Sequence, residues 1–186
     1  MEKPEKLSSP HLKNKHTDDL IDHYWGSISY VSSLIKASEI KAGLILSFYG
    51  ILLNFVYQNI GLVLAHFENE ILIYILMAIW FLSAVTSIYY SIRCFMPRIE
   101  SKYEKNIFFF GDVISKFGDI KQFSKTFFNI SLDEEQLFDQ LGQQIFINAK
   151  IANLKFQNVQ KALKFLAIQF VLLLVIVVYY IIAAFI

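Results

Sequence analysis

Cysteine, proline and glycine are scarce in this chain, with one, three and seven of each. The lone Cys94 excludes a disulfide within the chain and any multi-cysteine metal site. It closes an apolar segment, which points to packing rather than chemistry. No proline falls between residue 17 and the end of the first apolar run, and none follows Ser131. Long uninterrupted helices are therefore permitted. The chain has no Gly-rich phosphate loop, no G-x-S-x-G elbow and no cluster of metal-ligating residues, so neither an enzyme nor a cofactor is expected. A net charge of +1 leaves no strongly basic surface, which argues against a nucleic-acid partner.

Apolar residues are abundant instead, at 55% of the chain, more than a soluble domain of this length carries. Three windows, 42–67, 71–92 and 165–186, contain no Asp, Glu, Lys or Arg. About 20 helical residues cross the ~30 Å hydrocarbon core, so each window is long enough for a transmembrane helix. The first is longer than needed, and Gln58, Asn59, Gly61 and His66 end it within the window. None reads as a cleaved signal peptide, because the first follows about forty mostly polar residues.

The basic residues are placed asymmetrically. Six lysines precede the first span, the loop after it has none, and the other eleven Lys and Arg lie between Arg93 and Lys164. By the positive-inside rule that side is cytoplasmic, with the N-terminus inside and the C-terminus outside. Tyrosines near span ends, such as Tyr89 and Tyr90, suit an interfacial belt.

The expected fold class is an all-α membrane protein with three transmembrane helices and cytoplasmic helical extensions. Residues 1–16 read as a disordered polar tail. Residues 17–41 form an amphipathic helix continuous with the first span, 42–62; Ile21, Trp25, Ile28, Val31 and Ile35 mark its apolar face. The second span is 71–92. Pro97 ends its overhang, and 97–130 holds short Phe-rich helices broken at Gly111 and Gly118. They suit either the membrane surface or packing on the other cytoplasmic helices, the latter preferred. Ser131 and Glu134 make a capping box, opening a cytoplasmic helix 131–164 that runs into the third span, 165–186.

Leu141, Ile145, Asn148, Ala152, Lys155 and Val159 lie on one stripe of that last helix. Its polar members fit register-setting in a helix bundle or a pocket between helices. Glu39 and Lys41 stand at the lip of the first span. Counting depth from the first apolar residue of each span, Glu39 pairs with Lys161 or Lys164 and does not easily reach Lys155, while Lys41 snorkels to the headgroups.

Three segments, ASEIKAGLILSFYGILL, FFFGDVI and QIFINAKIANLKFQNVQKA, carry a resemblance in this order. Glu39, Lys41, Ala42 and Gly43 open the first span; Pro97 follows the second. Phe109, Phe110, Gly111 and Asp112 come next, then Gln144, Ile145, Lys150, Ile151, Ala152 and Lys155 lead into the third. Together they resemble the Pycsar transmembrane effector family of bacterial antiphage systems, from about Tyr24 to the C-terminus. Some relatives carry a fused HD-type hydrolase domain; His11, His16 and His23 do not make an HD pair.

The resemblance implies a multi-pass protein of the bacterial inner membrane, with a periplasmic C-terminus. A partner cyclase makes a cyclic pyrimidine nucleotide, cCMP or cUMP. Binding it makes the membrane helices rearrange or assemble as a homo-oligomer, impairs the bilayer and aborts infection. A cyclic monophosphate asks for cations and amides, and its base for a stacking ring. Asn148, Lys150, Asn153 and Lys155, with Asp112 and Phe110, make the most economical set. Each also has a plain structural use: capping for Asp112, packing for Phe110, solvation for Lys150. No β-roll of the familiar cyclic-nucleotide domains is visible. A constitutive small ion channel and a membrane adaptor are the rival readings.

Overall fold

The computed structural model describes residues 10–66, 71–96 and 104–185. Among them all regular structure is helical, in five elements: α1 (Pro10–His66), α2 (Ile71–Phe95), α3 (Phe110–Ser115), α4 (Ile120–Leu132) and α5 (Glu134–Phe185). Three of these, α1, α2 and α5, are long and apolar enough to cross a membrane. Residues 10–16, expected as part of the polar tail, are helical; residues 1–9 and Pro97 lie outside the described residues.

The chain divides into two compact units. The first combines α1 through Leu34 with α3, α4 and α5 through Ile151. Aromatic pairs run through it. Tyr24 meets Phe138 at 5.4 Å, Trp25 sets its edge on Phe108 at 5.4 Å, and Phe108 meets Phe127 at 6.0 Å. Ile107, Phe109, Phe117, Leu141 and Ile147 are buried. Rings of the Phe-rich segment thus pack against α1 and one another within this unit.

Local rules set the element ends here. Gly118 turns the chain at φ +75°, and a Cβ at this glycine would collide with the Gln122 amide. Asp119 then caps α4, accepting the Gln122 N–H at 2.8 Å. The cap of α5 is Asp133, not Ser131. Its Oδ1 accepts the N–H groups of Glu135 and Gln136, and Gln136 returns its amide to Oδ2 at 2.7 Å. Ser131 is still inside α4 and donates to the Phe127 carbonyl. The S-x-x-E spelling lost to Asp133, two residues on, because the preceding helix had not yet ended.

The second unit combines α1 from Ile35, α2, and α5 from Ala152. Ile45, Tyr49, Ala84 and Ala162 form one core cluster, and Ala42, Cys94 and Val159 another. Small residues on α2 allow close approach to α5. Ser83 and Ser87 donate to the carbonyls of Phe165 and Ala162 at 3.0 and 2.8 Å. Large apolar side chains such as Leu44, Ile51, Phe55, Leu82 and Leu174 point outward, as they should toward lipid.

Candidate ligand-binding site

Each unit holds a polar constellation that grows from its sequence. In the first, Asn106 is fully buried. Its Oδ1 accepts the N–H groups of Phe108 and Phe109 at 2.9 and 3.1 Å, folding the chain into a turn. Its Nδ2 donates to the Gln140 carbonyl at 2.7 Å, while Gln140 Oε1 accepts the Ile107 N–H at 2.9 Å. The turn is thereby stapled to α5. Asp112 closes it from the other side: Oδ2 accepts the Asn106 N–H at 3.0 Å and Oδ1 pairs with Lys116 at 2.9 Å. Both Asp112 oxygens are thus engaged, and the carboxylate caps no helix; α3 has no side-chain cap.

Phe110, beside this turn, is 74% exposed, with its ring 5.8 Å from that of Phe109. One and two turns along α5 from Gln140 come Gln144 and Asn148, both buried. Gln144 Nε2 donates to Asn148 Oδ1 at 3.2 Å. Gln144 Oε1 is buried and has no hydrogen-bond partner. An orphaned buried acceptor costs about 1–3 kcal/mol. Lys150 follows on the exposed side of the same helix.

In the second unit, Lys155 is buried and its ammonium meets two acceptors. One is Glu39 Oε1 at 2.8 Å, the other the Cys94 carbonyl at 2.6 Å, in the last turn of α2. One cation therefore ties three helices. It also neutralises the negative end of α2. Asn153 is exposed.

The Glu39 partner corrects the depth count. Lys161 instead lies over the Tyr90 ring at 5.3 Å, and Lys164 and Lys41 are exposed. That count takes the first uncharged residue of each span as one common level. Packing sets a different register: Ala42 sits with Val159, and Tyr49 donates to Gln169 at 2.6 Å. The true level of α5 is thus about three to six residues, or ~5–9 Å, from the assumed one. Lys155 then lies about one turn below Val159, within reach of Glu39.

Of the six residues expected to bind ligand, Phe110, Asp112, Asn148 and Lys150 fall in the first unit; Asn153 and Lys155 fall in the second. Asp112 and Asn148 bond to Asn106, Lys116 and Gln144, none of them in that set. The expected stripe is real: Leu141, Asn148, Ala152, Lys155 and Val159 are buried and Ile145 half-buried. Sequence reasoning missed the roles of Asn106, Gln140 and Gln144. The four-residue spacing of Gln140, Gln144 and Asn148 marks an amide row on one helix face and was the available signal.

Residues 23–182 match the family described as the Pycsar effector protein domain, PycTM. The chain is also similar to the Pycsar effector protein SaPycTM of Staphylococcus aureus, 29% identical over 135 residues, spanning 72% of this chain and 78% of the relative. No solved structure matches.

Proposed function

Since this chain belongs to the Pycsar effector family, an antiphage effector held in the membrane, we propose that a cyclic pyrimidine mononucleotide, cCMP or cUMP, activates it. Activation impairs the inner membrane and aborts infection. The placement of Lys and Arg supports a cytoplasmic N-terminus, three crossings and a periplasmic C-terminus. Ligand made by a partner cyclase then meets the first unit in the cytoplasm.

The observation that supports a ligand there is the orphaned acceptor of Gln144 beside Asn148. A pyrimidine edge offers both N–H donors and acceptors, cytosine at its amino group and uracil at its ring N–H. Either satisfies Gln144 Oε1, and Asn148 reads the neighbouring position. Phe110 offers a stacking face. Lys150 offers a cation to the phosphate. Asp112 acts by holding the turn that presents Phe110. Asn153 and Lys155, farther along α5, belong to the response: the contacts of Lys155 with Glu39 and Cys94 define one arrangement of α1, α2 and α5. A ligand shifts that arrangement only through its different affinity for the alternatives.

Binding of radiolabelled cCMP and cUMP to membranes containing the chain, with cAMP and cGMP as controls, tests the reading. One pyrimidine binds selectively, and Gln144→Leu weakens it about tenfold or more. Absence of pyrimidine binding by the unaltered chain contradicts the proposal.

A further inference from the structure

Helix α4 is amphipathic, yet none of its residues is buried. Its inner side leans on its own unit through Phe123 and Phe127. The opposite side carries Lys121, Lys125, Phe128 and Leu132, at steps that put them on one stripe. All are exposed; Phe128 is 61% and Leu132 71% exposed. Exposed Phe and Leu flanked by lysines form a face that asks for an apolar, acidic partner.

The same unit contains such a surface. The outer face of α1, opposite buried Ile28, is a shallow concavity lined by Asp19, Asp22, His23, Gly26, Ser27 and Tyr30, with both carboxylates at one end. A Cβ at Gly26 would meet nothing within 4 Å, so the concavity is open, and Tyr30 is 65% exposed. Lys121 and Lys125 are one helical turn apart, as are Asp19 and Asp22. Basic stripe and acidic stripe therefore match in spacing as well as sign.

Direction matches too. Thr17 donates to Glu134, just past the end of α4, while Trp25 reaches Phe127 through Phe108. Within the unit, α4 thus runs antiparallel to α1. Copies of one sequence insert into a membrane with the same polarity. In a neighbour, α4 then meets α1 antiparallel. Lys125 set against Asp19 then brings Lys121 opposite Asp22, so both ion pairs form in one register.

We infer that the exposed stripe of α4 in one copy docks on the acidic face of α1 in a second copy. The two faces differ, so the contact is heterologous: it closes into a ring or grows as a chain of copies in the membrane plane. Ligand identity plays no part in this contact, which stands or falls separately from nucleotide binding. Exposed ion pairs are individually weak. Confinement to a membrane raises the effective concentration of the partner and compensates.

The test uses the full chain with Cys94→Ser, reconstituted in neutral phosphatidylcholine vesicles and treated with a short bis-maleimide. One preparation carries Ser27→Cys on α1, a second carries Ser124→Cys on α4, and a third mixes the two. Cross-linked dimer is expected in the mixture and not in either alone. Lys121→Glu with Lys125→Glu, or Asp19→Lys with Asp22→Lys, should lower the yield at least about fivefold. All four changes in both partners should restore it, which a merely misfolded variant would not do. A yield unmoved by either reversal overturns the inference. So does equal self-cross-linking of the α4 variant, which would pair α4 with α4. A yield that requires added anionic lipid also overturns it and assigns the basic stripe to a lipid surface.

Discussion

At the scale of single residues, Lys155 is the most constrained charge in the second unit. It is buried with two acceptors, while the side chain of its partner Glu39 is 39% exposed. Removing the cation strands the Cys94 carbonyl and a carboxylate that still reaches water. Lys155→Met keeps the volume and should cost about 2 kcal/mol, read as a lower unfolding temperature in detergent with helical content unchanged. Glu39→Gln should cost less, because an amide oxygen still accepts from Lys155 and the exposed carboxylate loses little. Equal losses in the two variants would show that the Cys94 carbonyl contributes nothing. In the first unit, Asn106→Ala removes three hydrogen bonds at a fully buried position. We expect a loss of about 2–4 kcal/mol and exposure of Phe108 and Phe109 to proteolysis, checked by limited digestion of the reconstituted chain.

At the scale of elements, the ends of α4 and α5 rest on named caps. Asp133→Ala should lower stability by about 1 kcal/mol, and Ser131→Ala should leave it nearly unchanged. The reverse order in thermal melts would restore the S-x-x-E box. Helical periodicity made most of these elements legible. The stripe from Leu141 to Val159 could be read from spacing alone because burial follows helix geometry. Spans could be read from charge-free length. The cap could not, because Ser131 and Asp133 are both competent and the choice depends on where α4 stops. Nor could the Glu39–Lys155 pair: inter-helix register is fixed by Ala42 on Val159 and Tyr49 on Gln169, contacts that no single-helix pattern contains. In the first unit, the Asn106 turn is a local Asx feature, but its tie to Gln140, thirty-four residues away, has no local signal.

At the scale of the whole molecule, α5 carries the amide row of the first unit and Lys155 of the second within one unbroken helix. On the proposed function, ligand binding at Gln144 and Asn148 and the response at Lys155 share one element. The spans themselves contain no charge from Ile71 to Ile92 or after Phe165. Ser83 and Ser87 are committed to α5 carbonyls, and Thr86 donates to Leu82 of its own helix. These groups serve packing, and on the proposed function membrane leak awaits a ligand-driven rearrangement. Purified full-length chain in dye-loaded vesicles measures this directly. The account predicts tight vesicles without nucleotide, and dye release on adding cCMP or cUMP but not cAMP. Release without any nucleotide, or none with either pyrimidine, would contradict it.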